Sequence, residues 1–158
     1  MTNKFVDPRN SRGNHQDGVY KAIVDAGEDP FAKRNLLKYH KGPVLFENTS
    51  WFVIQNQWPY ARTKHHLVII LHRFTTEMED LTKNELLDLV QIVARAKQEL
   101  GINGGTLLMR SGDTLLTGAT VTHLHAHFIV ADVDHPEYGP ENRVKVVLGG
   151  NKTKPETT

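Results

Sequence analysis

The chain's clearest pattern is a strict alternation near its C-terminal end, Thr122-His123-Leu124-His125-Ala126-His127-Phe128-Ile129-Val130. Successive side chains of an extended strand point to opposite faces. A strand here therefore puts His123, His125 and His127 on one face and Leu124, Ala126, Phe128 and Val130 on the other. A helix would scatter residues two apart, and the β-branched and aromatic neighbours favour a strand. Similar reading predicts strands at 44–47 and 51–56, joined by Asn48-Thr49-Ser50, and at 66–71, 106–110 and 143–148. The run His66-Leu67-Val68-Ile69-Ile70-Leu71 is apolar without alternation, which predicts cover on both faces.

A helix over 83–100 carries the strongest boundary signals. Thr82 and Glu85 form a capping box, Leu81 and Leu86 are placed as a hydrophobic staple, and Gly101 sits where a left-handed stop belongs. Its apolar stripe is predicted through residues 86, 90, 93 and 100, with Leu89 and Ala96 beside it. Residues 19–30 suggest a short helix or strand stopped by Gly27 and Pro30, and 31–40 a second short helix. The expected architecture is α+β, a mostly antiparallel sheet of five to six strands with one long helix packed on one face. Residues 1–18 read as a flexible polar arm, 19–148 as one domain and 149–158 as a flexible tail.

Composition narrows the chemistry. The 158 residues are 39% hydrophobic and 23% charged, which suits one globular domain with its own core. The formal net charge of +1 implies no pull toward nucleic acid or membrane. There is no Cys, which excludes thiolate catalysis, disulfides and Cys-type zinc sites. No signal peptide or membrane-length apolar run is readable, so a soluble cytoplasmic protein is the default expectation.

Imidazole can act as nucleophile, acid, base or metal ligand at neutral pH. A merely solvated sheet face would be served as well by threonine or lysine. Zinc could be held by histidines two apart, but the outer pair are about 13 Å apart along a strand, too far for three to share one ion. No H-E-x-x-H is present to supply another ligand set. The remaining reading is phosphoryl or nucleotidyl transfer. A central imidazole attacks phosphorus while its neighbours donate to phosphate or leaving-group oxygens. The glycines of the 112–118 loop can bring backbone N–H groups to anionic oxygens.

The run His123-Leu124-His125-Ala126-His127-Phe128-Ile129 resembles the His-φ-His-φ-His-φ-φ signature of the histidine-triad (HIT) superfamily of nucleotide hydrolases and transferases. The resemblance extends over residues 19–132. It implies that His125 is the nucleophile, that His127 contacts phosphate and assists the leaving group, and that His123 orients His125. It implies that His66, chosen over His65 for its register with Arg73, supports the site from the neighbouring strand. Asn56 would hold the ribose, and Gly112, Gly118 and Thr120 would contact substrate phosphate. It further implies a nucleotide substrate, a homodimer, and neither cofactor nor metal.

Some positions depart from the pattern. Ala119 stands where Gln is usual, Arg110-Ser111-Gly112 replaces Asn-x-Gly, and the loop is about two residues longer. Arg110 is a candidate replacement anion contact, with a solvated strand charge as the alternative. Trp58 and Tyr60, in a lengthened loop, read as packing residues before base-stacking ones. His127, where a uridylyltransferase branch has Gln, points to hydrolysis at an α-phosphate of a dinucleoside polyphosphate or nucleoside phosphoramidate. The alternatives are a phosphorylase or nucleotidyltransferase, a nucleotide-binding module of weak activity and, less favoured, a zinc-dependent protein.

Overall fold

The computed structural model describes residues 4–153. The elements run α1 (Asn14–Ala26), α2 (Lys33–Tyr39), β1 (Val44–Glu47), β2 (Trp51–Gln55), β3 (Thr63–Leu71), α3 (Lys83–Glu99), β4 (Thr106–Met109), α4 (Thr114–Thr117) and β5 (His125–Ala131). Short 3-10 turns lie at Pro8–Asn10 and Met78–Asp80. The five strands make one antiparallel sheet in the order β1-β2-β3-β5-β4, so the protein is α+β.

The sheet separates two cores. On one face Trp51, Val53, Leu67, Ile69, Leu124, Ala126 and Phe128 pack against Leu89, Ile92 and Ala96 of α3. This is the apolar side of the alternating run, sealed as its pattern demands. On the other face Phe52, Ile54, Val68 and Ile70 meet Leu36 of α2 and Phe31. The continuous apolar run of β3 supplies both: odd-numbered residues go to the first core and even-numbered residues to the second.

The capping box of α3 is formed, with Thr82 Oγ1 accepting from Glu85 N–H and Glu85 Oε2 from Thr82 N–H. Gly101 takes φ 63°, and Ile102 N–H closes back on Lys97 C=O at 2.8 Å before its side chain is buried. The predicted stripe is turned, however. Leu86 is 47% and Val90 65% exposed, so neither the staple at Leu86 nor the 86–90 seam forms. Apolar residues occupy more than half of this helix's circumference, so periodicity alone leaves its rotation open. Polar anchors choose it: Trp51 Nε1–H donates to Glu85 C=O, and Ser50 Oγ–H to Asp88.

The N-terminal stretch corrects the expectation of a flexible arm. Val6 forms an antiparallel bridge with Val121, Asp7 N–H donates to Thr120 C=O at 2.7 Å, and Thr122 N–H to Phe5 C=O at 3.0 Å. Val6 then packs with Tyr20, Ile23 and Val121. One apolar pair, Phe5-Val6, is enough to dock an otherwise polar segment where a neighbouring strand edge can receive it. Helix α1 begins at Asn14, upstream of where its apolar residues start. Residues 1–3 of the arm and 154–158 of the tail lie outside the described residues.

The expected strand at 143–148 joins no ladder. That segment is held by loop groups: Arg110 Nη2–H donates to Val147 C=O, Gly150 N–H to Leu115 C=O, and Asn151 N–H to Asn10 Oδ1. Asn10 is a junction, since its Nδ2 also donates to Thr114 C=O and Ala119 C=O. No helix among the described residues is long and apolar enough to cross a membrane.

Candidate active site

Antiparallel pairing places Val68 opposite His127 and Ile70 opposite His125, with His66 opposite Ile129. Residues two apart share a face, so His66, His127 and His125 all project from the second face of the sheet. They meet there: His66 Nε2 lies 2.9 Å from His127 Nδ1, and the His125 and His127 rings are 5.0 Å apart. A cavity of about 320 Å³ opens above this face. His125, His127, Asn56, Arg110, Gly118 and Thr120 line it.

The hydrogen bonds fix which nitrogens carry protons. Main-chain His123 C=O can only accept, so His125 Nδ1–H donates to it at 2.8 Å. His125 Nε2 then holds a lone pair in the neutral ring. Tyr60 N–H donates to His66 Nδ1 at 3.1 Å, so the His66 proton sits on Nε2 and donates to His127 Nδ1. The proton of neutral His127 is consequently on Nε2. The pair is complementary: one ring offers an unprotonated nitrogen, the other an N–H. Asn56 Nδ2, 3.1 Å from His66 Nε2, faces another donor in this arrangement. Its Oδ1 accepts from Trp58 N–H at 2.8 Å, which fixes the amide orientation.

Burial keeps the rings neutral. It pushes His125 down to about 4, with the charges of His123 and Arg110 adding to the effect and the hydrogen bond to His123 opposing it. His66 also falls to about 4, through burial and then Arg12. His127 is held well below the ordinary histidine value, first by burial and then by His125, His66, Arg110 and Arg12. An anion entering between these groups would oppose the nearby positive charges and raise the proton affinity of the rings.

His123 occupies a different place from its neighbours. It precedes β5, is 1% exposed, and does not line the cavity. Its Nδ1 is 2.6 Å from Asp29 Oδ2 and its Nε2 2.6 Å from Leu71 C=O. Phe31 and Phe74 stand edge-on to the ring. The expectation that one strand presents three imidazoles to a ligand is therefore corrected: two reach the cavity, and the first is clamped behind them. Among the described residues no group of three or more His, Cys, Asp or Glu could hold a metal ion.

Gly112 also falls outside the cavity wall. Its φ of 81° serves a turn in which its N–H donates to Thr76 C=O, and a side chain there would meet the Glu77 carboxylate. Gly118 does line the cavity, with φ 72° and with Gly149 C=O and an Arg110 Nη1 close by. Thr120 lines it too, although its hydroxyl donates to Asn10 C=O. Arg110 donates through Nη1 to Thr117 C=O, so it is an ordered part of the wall. Arg73, the register guide for His66, pairs instead with Glu85 at the start of α3. Trp58 packs on Tyr20, and Tyr60 lies over His66 at 4.5 Å between ring centroids.

Sequence reading missed Asp29 and Arg12. Asp29 is 94 residues from its histidine, and no spacing rule connects them. Gly27 and Pro30 mark a stop in this stretch, and nothing in that local pattern singles out Asp29, the residue that Pro30 holds in an extended conformation.

Known proteins place the chain. The HIT domain family model matches residues 40–133. Mycobacterium tuberculosis proteins described as AP-4-A phosphorylase are 25% identical over 134 residues. That alignment covers 80% of this chain and 63% of theirs. A HIT family hydrolase from Clostridium thermocellum superposes with a TM-score of 0.52 at 21% identity, covering 65% of this chain and 90% of that one. A histidine triad nucleotide-binding protein from Candida albicans gives 0.54 at 16% identity, covering 75% and 81%. The likenesses to solved structures carry the fold, and the match of the family model over the triad and its sheet shows that this chain belongs to the HIT domain family.

Proposed function

We propose that the protein is a nucleotide-processing enzyme that cleaves at an α-phosphate through a nucleotidyl intermediate on His125. The reading is carried by the complementary protonation of His125 and His127 at the cavity floor. His125 Nε2 attacks phosphorus, the bond to the leaving oxygen breaks, and His127 Nε2–H donates to that oxygen. Water then attacks the phosphorus, His127 Nε2 takes the proton of the water, the P–N bond to His125 Nε2 breaks, and the nucleoside monophosphate is released. Asn56 and Thr120 line the cavity, and in this reading they meet ribose and phosphate. His123 acts through its carbonyl and its clamp by Asp29, and His66 through the proton it donates to His127.

The substrate class we favour is a dinucleoside polyphosphate, with nucleoside phosphoramidates as the alternative. Rapid quenching with a dinucleoside tetraphosphate labelled at the α-phosphorus tests the intermediate. The expected result is an acid-labile, base-stable adduct that disappears in His125→Ala. An unlabelled wild-type protein that still turns over would exclude covalent catalysis, and one that binds without turnover would leave a binding module.

A second reading rests on the relatives described as AP-4-A phosphorylase. In it, inorganic phosphate replaces water as acceptor. Turnover with and without phosphate separates the two, since phosphorolysis yields a nucleoside diphosphate where hydrolysis yields a monophosphate. Assembly as a homodimer and a cytoplasmic location are further proposals; sedimentation equilibrium and cell fractionation test them.

A further inference from the structure

The cavity wall has an unbalanced charge. The chain as a whole is near parity, with 19 Lys and Arg against 18 Asp and Glu. Among the described residues lining the cavity are three cations, Arg12, Arg110 and Lys145, and no carboxylate. The three come from separate stretches of chain. Arg110 follows β4 within the family match, while Arg12 and Lys145 lie outside it, one before residue 40 and one after 133.

Two of the cations are visibly positioned. Arg12 lies over the Tyr60 ring, 4.5 Å from its centroid, and Nη2–H donates to Trp58 C=O at 2.9 Å. Tyr60 in turn stacks on His127 at 6.3 Å and donates its N–H to His66. This chain of contacts carries the Arg12 charge toward the proton-donating side of the site. Arg110 holds Val147 C=O, two residues beyond Lys145, so the C-terminal segment is fastened where its lysine faces the same space. At position 119 the wall offers only a methyl group. Cations arriving from the chain's two ends then supply charge that the loop itself does not.

We infer that Arg12 and Lys145, together with Arg110, form a subsite for a polyanionic leaving group, so that the substrate is one whose departing part is itself a phosphate chain. This rests on the proposed function and sharpens it: a neutral leaving group such as ammonia would make no use of these charges. Arginine suits the task because its planar fork donates to two phosphate oxygens at once. Opposite charges in a low-dielectric cleft also steer an anion inward.

Two measurements test it separately. Calorimetric titration with inorganic tripolyphosphate reads the subsite without catalysis. Arg12→Ala is expected to weaken binding about tenfold and Lys145→Ala, on an exposed stem, about threefold, with Arg12→Lys recovering part of the loss. The second measurement is the ratio of kcat/KM for a dinucleoside tetraphosphate to kcat/KM for a nucleoside phosphoramidate. The ratio is expected to fall about tenfold in Arg12→Ala and to fall with added salt in the wild type. Tripolyphosphate binding that is absent, or equal in wild type and Arg12→Ala, overturns the subsite. So does an unchanged ratio, which would mean that Arg12 only shapes the pocket. Arginine-dependent tripolyphosphate binding in a protein that turns over neither nucleotide would keep the subsite and reject the proposed reaction. Turnover with no Arg12 effect would do the reverse.

Discussion

The two faces of the sheet are finished by different means. Helix α3 closes one with a continuous apolar seam of Leu89, Ile92 and Ala96. The other is covered by α1, α2 and stretches from both ends of the chain, which leave a cavity over His125 and His127. On the sealed face a side chain matters by its volume. On the open face it matters by its protons and charge, and the strand between them, β5, serves both through alternate residues. Stability and chemistry are therefore separable one residue at a time.

That separation makes its strongest demand at His125. His125→Ala should lower turnover by at least about 10⁴-fold, about 5 kcal/mol of barrier, while urea unfolding shows little loss. A variant that unfolds instead would show that the open face is also a structural core. One residue earlier the expectation inverts. Leu124→Ala should cost about 2–5 kcal/mol of unfolding free energy, measured by denaturant titration, because Leu124 is 1% exposed and packed in the α3 core.

Acid should undo the faces in sequence. His66 and His125 are held near 4 against about 6.5 when unfolded, so the unfolded chain binds more protons between those values. Above pH 6.5 the rings carry no such penalty; as pH falls toward 4 the unfolded chain takes up protons that the folded rings refuse, a loss on the order of 3 kcal/mol for each ring. The paired Glu85 at the start of α3 sits at about 2, chiefly through Arg73. Its contribution is present above about 4.5 and is lost only as pH falls through about 2. Equilibrium unfolding at pH 7, 5.5 and 4.5 should lose stability at each step before Glu85 begins to titrate. A flat profile over that range would mean that the rings are already solvated.

Asp29→Asn should reduce kcat/KM about tenfold by loosening the His123 clamp, with the larger share in kcat, since Asp29 is not part of the cavity wall. A change confined to KM would point to pocket shape instead. The smallest effect belongs to the solvent side of α3: Leu87→Lys, at a residue 56% exposed, should shift stability by no more than about 0.5 kcal/mol.

The same division explains what could be read from residues alone. The strands and the ends of α3 are local matters of alternation, capping and a left-handed glycine, and each lies within a short window of sequence. The rotation of α3 depends on Trp51 and Ser50, more than thirty residues away in the chain, so no short window holds it. The two cavity histidines announced themselves because they share one strand. Asp29, Arg12 and Lys145 did not, because each reaches the site from a segment whose own pattern is polar and short. Gly112 was legible as a turn but not as one that faces away from the cavity.

The junction at Asn10 has a consequence for how the molecule would respond to being loosened. The amide of Asn10, two residues from Arg12, joins the 114–119 loop to the C-terminal segment at Asn151. Slack introduced at Gly150, where a side chain would strike Thr114 C=O and Asn10 Oδ1, has a direct route to the opposite terminus. Damage to one of these segments should thus be felt as disorder in the other, and the cavity's rim behaves as a drawstring rather than as two independent flaps.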